Sequence, residues 1–400
     1  MEFKVGLFSD SFPPVIDGVS NVVENYAHQI YEKYGKVVVA APYYKDARDD
    51  GYPFDVVRYQ SIKLRDRLAY RAGNPYDLKS LKSLEKQNMD LIHVHSPFSA
   101  SILAKMLQIG KKKIPIIFTY HTKFNIEFEE RIDVPIFRKI ATDFVIANIR
   151  SSDEVWVVSK GAGESLKEIG YDGAYRVIEN GTDFPSGRAA PGAVAALRRQ
   201  YGVGAEELVF LFVGRMMWYK NCRLTLDALR LLKEQGLPFR MFMVGDGFEK
   251  PEIEAYAAEI GLQDLVVFPG TIQDREALRV YYSMADLFLF PSTFDTSGLV
   301  VKEAAACGCP SLLLAGSCAA ENVEDDFSGF IAAEETAVCC ADRIARAVSN
   351  RERLGASGKN AGQHVYLSWA DAISCAGRRY EEILYEWRGK TIKRFFLNKK

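Results

Sequence analysis

The segment Phe294-Asp295-Thr296-Ser297-Gly298-Leu299-Val300-Val301-Lys302-Glu303-Ala304-Ala305-Ala306-Cys307-Gly308 has the residue types and order to hold an anion beside a polyol. An apolar run at 287–290 leads through Pro291-Ser292 and a polar turn into a helical pattern that stops at Gly308. A helix opening there directs unpaired N–H groups and its positive dipole end into the space above a sheet, which suits a diphosphate or sugar oxygens. Asp295 precedes that helix and Glu303 lies inside it. A fully helical span between them would measure roughly 12 Å, placing one carboxylate on a hexose and the other on a ribose. The competing expectation is that Asp295 merely caps the helix and Glu303 is a solvated side chain.

Two further turns carry matching chemistry. The apolar run 208–213 ends in Gly214-Arg215, and Lys220-Asn221 follows at a helix entry. Glycine lets the backbone turn closely, and two cations at a strand's carboxyl end can neutralise a leaving diphosphate. Read alone, they are two surface bases on a loop. The run 239–244 ends in Gly245-Asp246-Gly247, a third tight turn at the same expected sheet edge.

Such residues need a scaffold, and the chain supplies its pattern twice. Short apolar runs at 3–9, 36–41, 91–95, 115–120, 154–159 and 175–178 alternate with helical patterns such as 21–33, 99–109 and 162–169. The turn-rich stretch Asn180–Gly187 and the Ala/Pro/Gly-rich residues to Ala195 read as a linker. The pattern then restarts with 208–213, 239–244, 265–268, 287–290 and 311–315. This predicts two doubly wound α/β domains facing across a cleft: 1–185, and 186–377, with a last helix at 378–400 packing back on the first.

Composition bounds the rest. Four hundred residues exceed one ordinary core, and a formal net charge of −1 gives no reason to expect nucleic-acid binding. No apolar run reaches the ~20 residues that span a bilayer, and the N-terminus has no secretory h-region, so a cytoplasmic location is expected. All seven cysteines lie beyond residue 220. Cys307-Gly308-Cys309 and Cys339-Cys340 lack a matching second ligand pair, so reduced thiols are expected rather than a metal site.

At these motifs the sequence resembles a family. Phe212-Val213-Gly214-Arg215 with Lys220-Asn221, Val244-Gly245-Asp246-Gly247, and Asp295 through Ala304 resemble the donor-site motifs of GT-B glycosyltransferases, specifically the retaining enzymes of family 4. In the first half, Asp10-Ser11-Phe12-Pro13-Pro14 with Asp17-Gly18-Val19-Ser20 resembles the family's N-terminal phosphate-approach loop. His93-Val94-His95-Ser96-Pro97 and Thr119-Tyr120-His121-Thr122 resemble cleft-lining strand ends, and Asn180-Gly181-Thr182-Asp183 an interdomain turn.

The resemblance implies a hexosyl transfer from a nucleotide diphosphate sugar. Arg215 and Lys220 would bind the diphosphate, with Gly214, Gly245, Asp246 and Gly247 in the surrounding turns. Asp295 would contact hexose hydroxyls, with Ser297, Gly298, Leu299 and Val300 offering the helix entry. Glu303 would hold the ribose, Gly18 would admit the distal phosphate, and His121 would sit beside the transferred sugar. No metal or other cofactor is implied. Two departures stand out: the family more often has Glu where this chain has Asp295, and an aromatic where it has Ser297.

The acceptor is the least defined part. The segments 93–98 and 120–124 are also similar to family members that glucosylate diacylglycerol, which implies UDP-glucose and a lipid acceptor. Six Lys/Arg and no acid from Arg388 onward, Lys111-Lys112-Lys113, and Lys79, Lys82 and Lys86 agree with an anionic membrane surface. They agree equally with a solvated tail and an ordinary charged helix face. The rival expectations are a soluble or polysaccharide acceptor with another UDP- or GDP-sugar, a sugar-nucleotide epimerase, and a non-catalytic sugar-nucleotide-binding subunit.

Overall fold

The computed structural model describes residues 2–15, 17–63, 71–109 and 113–397, with side chains at 130–131 and 390–397 outside the description. Two compact units emerge. One comprises the chain up to Asn180 together with the residues from Trp369 onward; the other is Gly181–Ser368.

In the first unit the strands β1 (Val5–Phe8), β2 (Val37–Pro42), β3 (Asp55–Tyr59), β4 (Leu91–Val94), β5 (Ile116–Tyr120), β6 (Glu154–Val157) and β7 (Arg176–Val177) form one sheet. Its spatial order is β3-β2-β1-β4-β5-β6-β7, with every pair parallel. Strand β1 is buried throughout because helices cover both faces of a parallel sheet. The first helix, Gly18–Tyr34, begins where Asp17 accepts the Ser20 N–H at 2.7 Å. It stops at Gly35, whose left-handed backbone (φ 73°) returns an N–H to the Tyr31 carbonyl.

The second unit repeats the design. Strands β8 (Leu208–Val213), β9 (Phe239–Val244), β10 (Val266–Gly270), β11 (Leu287–Leu289), β12 (Ser311–Leu314) and β13 (Phe330–Ala332) lie in the order β10-β9-β8-β11-β12-β13, again all parallel. The continuous apolar run of β8 places it at the centre, buried along its length. Helix Cys222–Glu234 covers it with Cys222, Leu226, Leu229 and Leu232, the three-to-four spacing of one helical face.

The edge strands β3 and β13 were not expected from the sequence. Asp55-Val56-Val57-Arg58-Tyr59 mixes charge with apolar residues because an edge strand is only partly covered, and Phe330–Ala332 is too short to carry a period. The unit boundaries also differ from 185 and 377. Thr182 N–H donates to the Leu367 carbonyl at 2.9 Å, and Phe184 is buried in the second core, so the turn after Asn180 folds with the second unit. The last helix starts at Trp369, not 378, and runs to Leu397. Trp369 packs against Tyr26, Tyr380 stacks on Trp156 at 5.3 Å, and Arg379 pairs with Glu154 at 2.6 Å. Lys111 and Lys112 and the side chains of the basic tail beyond Gly389 lie outside the described residues.

Candidate functional site

In the second sheet, strand order reverses at β8, with β9 on one side and β11 on the other. Loops leaving these strands diverge, which opens the crevice where open α/β sheets take their ligands. The loop after β8 carries Arg215 and a 3-10 turn, Trp218–Lys220. Asn221, in a left-handed conformation (φ 58°), then enters the helix Cys222–Glu234. The loop after β11 carries Ser292 and Asp295 to the helix Leu299–Ala306.

Side chains join the two loops. Asn221 Nδ2 donates to the Pro291 carbonyl at 2.8 Å, and Lys220 Nζ donates to Asp295 Oδ1 at 2.5 Å. Ser292 Oγ donates to the other oxygen, Asp295 Oδ2, at 2.5 Å. The Lys220 side chain is only 8% exposed, and its ammonium lies 5.1 Å from the Phe294 ring centre. Burial pushes the Asp295 carboxyl up, but Lys220, Ser292 and Arg215 outweigh it and hold the group below its ordinary value. Asp295 is therefore ionised at neutral pH. Arg215, by contrast, is exposed.

This depressed pKa has a testable sign. The ionised form stabilises the fold above the ordinary value near 3.8, and that contribution disappears as pH falls through the lower folded value. Asp295→Asn should therefore melt below the wild type at pH 7, since Lys220 is left buried without its counter-ion. The gap between the two melting temperatures should close as pH falls below 3.8; a gap independent of pH would refute the pairing.

Asp295 does not cap the helix. The residue at that position is Gly298, left-handed at φ 56°, with no side-chain capping bond. A Cβ there would sit 3.0 Å from the Ala319 Cβ. The Val301 amide bonds the Gly298 carbonyl at 2.8 Å, the Leu299 and Val300 amides ahead of it have no intrahelical acceptor, and Ser297 Oγ beside them is buried with no partner among the described residues. Because the helix begins only at Leu299, the fully helical span between Asp295 and Glu303 does not exist.

Glu303 is buried rather than solvated. Arg275 Nη2 donates to its Oε1 at 2.7 Å and the Tyr282 hydroxyl donates to its Oε2 at 2.8 Å. Burial raises the Glu303 carboxyl above its ordinary value despite these two donors. Arg275 also holds Asp183 through two bonds, of 2.5 and 2.8 Å, and lies 4.2 Å over the Phe184 ring.

The glycine turns form one stitched backbone. Gly214 N–H donates to the Val244 carbonyl, Met216 N–H to that of Asp246, and Gly245 N–H to that of Gly270. Gly245 has φ 135°, and a Cβ on it would come within 1.9 Å of the Gly214 carbonyl oxygen; one on Gly247 would come within 2.4 Å of that of Met216. Backbone approach between neighbouring loops thus explains these two glycines. Asp246 Oδ1 accepts the Gly247 N–H, capping its own turn.

Two family models match this chain: Glycosyltransferase Family 4 over residues 16–184 and Glycosyl transferases group 1 over residues 194–364. The chain belongs to the family 4 glycosyltransferases. It has their GT-B fold, two Rossmann-like domains. The alpha-monoglucosyldiacylglycerol synthase of Streptococcus pneumoniae is 26% identical to it over 77% of this chain and 70% of its own. The D-inositol 3-phosphate glycosyltransferase of Nocardia farcinica is 28% identical over 75% of this chain and 68% of its own. Among solved structures, the sucrose-phosphate synthase of Thermosynechococcus elongatus superposes with a TM-score of 0.80 at 22% identity, covering 96% of this chain and 100% of that one. This glycosyltransferase therefore uses a nucleotide sugar.

The fold of the glycosyltransferase brings Lys220, Asp295 and the Leu299–Val300 helix entry together at one strand reversal, with Glu303 one turn further along that helix. It also supplies partners that spacing did not reveal. Ser292, Arg275, Tyr282 and Asp183 carry no motif of their own; only Asp183, within the turn singled out as interdomain, was marked at all.

In the first unit of the glycosyltransferase, Gly18 opens the helix Gly18–Tyr34, and a Cβ added to it would meet no atom within 4 Å. Among the described residues none comes close enough to demand glycine there. His121 follows β5 and stacks on His95 with ring centres 5.2 Å apart, the two joined by a 2.9 Å Nε2–Nδ1 bond. Both ring nitrogens of His93 are engaged, by the Tyr380 hydroxyl and by Thr119 Oγ1, each at 2.6 Å. Burial lowers His121 to about 3 and holds His93 and His95 well below the ordinary histidine value. All three rings are neutral at physiological pH.

Proposed function

We propose that this enzyme transfers glucose from UDP-glucose, with retention at the anomeric carbon, to a hydroxyl of a glycerolipid at a cytoplasmic membrane surface. The observation that carries the reading is the Lys220–Asp295 pair at the strand reversal, beside Arg215 and the open helix entry at Leu299 and Val300. Arg215, Lys220 and those amides offset the charge that develops on the departing diphosphate, without a metal or other cofactor. Asp295 reads hexose hydroxyls and Glu303 the ribose. Gly18 admits the distal phosphate, as the family resemblance implies. His121 contacts the transferred sugar.

Both oxygens of Asp295 already accept hydrogen bonds, from Lys220 and Ser292, which disfavours it as a covalent nucleophile. Retention then follows if the acceptor attacks from the face the diphosphate leaves, with a phosphate oxygen taking its proton. The lipid surface is supported by the helix Pro135–Arg150. Ile136, Phe137, Ile140 and Phe144 are 44–59% exposed along one side, while Val145, Ile146 and Ile149 are buried. Lys79, Lys82 and Lys113 are exposed as well. Among the described residues no helix is long and apolar enough to cross a membrane.

Thermal-shift titration with UDP-, GDP- and ADP-glucose tests the donor, because a ligand that binds only the folded state raises its melting temperature. UDP-glucose should give the largest shift; a larger response to either other nucleotide would overturn the donor assignment. Incubation with diacylglycerol or with inositol phosphate then separates the lipid reading from a soluble polyol-phosphate acceptor, which the Nocardia relative favours. The lipid product should carry an α-glucosyl group. On flotation with anionic vesicles at low salt the enzyme should rise with the lipid, and full recovery in the lipid-free fraction would remove the membrane part.

A further inference from the structure

His95 is buried to 2% exposure, and its Nε2 has no hydrogen-bond partner among the described residues. Its Nδ1 meets His121 Nε2 at 2.9 Å. Tyr26 and His93 pack on its ring with centres 5.3 and 4.1 Å away, and His93 is fixed in turn by Tyr380 of the last helix and by Thr119. A neutral imidazole carries one N–H and one bare nitrogen, so the proton of His95 is on either Nδ1 or Nε2. On Nε2 it would be a buried N–H with no acceptor, the rarer and costlier defect. On Nδ1 it donates to His121 Nε2 and leaves only a bare ring nitrogen unmatched.

We propose that His95 is a positioning residue that donates from Nδ1 to His121 Nε2 and thereby fixes the proton of His121 on its Nδ1. His121 is then a hydrogen-bond donor at Nδ1 and cannot accept a proton there. This consequence rests on the reading of His121 as a sugar contact: it holds the imidazole as a donor to a ligand oxygen rather than as a base. The last helix contributes through Tyr380, which locks His93 against the His95 ring.

A long-range ¹H–¹⁵N spectrum of the ¹⁵N-histidine-labelled full chain, with signals assigned through His95→Asn and His121→Ala, tests the assignment directly. His121 should show a protonated Nδ1 and a bare Nε2; the opposite tautomer, or an imidazolium, overturns the proposal. Kinetics supply a second arm. Asparagine at position 95 can still donate, so His95→Asn should stay within about twofold of wild-type kcat, whereas His95→Leu has no donor at all and should lose about tenfold, one hydrogen bond's worth. UDP binding should be unchanged in both, and equal kcat in the two variants would overturn the proposal. If His95→Leu fails to fold, the wild-type spectrum decides alone. Wild-type turnover in His121→Ala would remove the sugar-contact reading while the spectrum still judged the tautomer.

Discussion

Arg215→Ala is expected to lose about 10³-fold in kcat/KM, the scale of removing a preorganised donor from a developing charge, with only a small drop in melting temperature, since Arg215 is the least of the groups that keep Asp295 ionised. Two facts set these magnitudes. Arg215 stands at the carboxyl end of the central strand β8, where the strand order reverses, so a diphosphate bound at the reversal would meet its charge. It is also exposed, so truncation leaves no cavity in the core. Lys220→Ala should match it in activity but not in stability. Lys220 is buried against Asp295, and removing it leaves that carboxylate without its nearest cation. Steady-state kinetics beside calorimetric melting would separate the two variants. Wild-type turnover in Arg215→Ala would remove the phosphate assignment, and equal stability losses would show that Arg215 is structural.

Glu303→Gln should move activity and stability in opposite directions. Losing a charged acceptor costs about 1.5–3 kcal/mol, or roughly 10- to 150-fold in UDP affinity by titration calorimetry. The stability effect follows from the raised carboxyl. A group whose folded pKa lies above its ordinary value favours the fold when protonated and loses that contribution as pH rises through the folded value. Below pH 4.5 the wild type and the variant should melt together. Above it, the wild type must keep a buried charge, and the variant should melt at the higher temperature at pH 7. Arg275→Met should do the reverse, because it strips Glu303 and Asp183 of their shared guanidinium. If Glu303→Gln bound UDP as tightly as the wild type, Glu303 would be a structural partner of Arg275 and Tyr282 and nothing more.

Much of the fold was legible because it is written locally. The all-apolar run of β8 could only be a strand buried on both faces, and the repeated strand–helix alternation required parallel sheets. Two edge strands escaped notice, β3 because partial exposure and the charges of Asp55 and Arg58 dilute its pattern, and β13 because it is only three residues long. The turn after Asn180 was read as a linker, with the boundary drawn at 185, because its turn residues carry no strand or helix period. The bond from Thr182 to Leu367, 185 residues away, is what ties it to the second.

The sequence by itself pointed to the reaction class through its resemblance to the family, which could be recognised because each matched motif is a strand end, a turn and a helix start within a dozen neighbouring residues. That is how Gly214-Arg215, Asp295 and Glu303 could be singled out before any fold was known. Which charge meets which was decided only in three dimensions. Lys220 finds Asp295 across 75 positions and His93 finds Tyr380 across 287, because strand reversal and a returning helix bring them together. Arg275 finds Glu303 across a gap of 28 that no motif spans. Helical and strand periods fix where a side chain sits on its own element, whereas pKa, burial and hydrogen-bond partner depend on the neighbouring element. The two carboxylates whose competing reading was a helix cap and a solvated side chain are, in the folded protein, an ionised Asp295 locked to Lys220 and a buried Glu303 held by Arg275 and Tyr282.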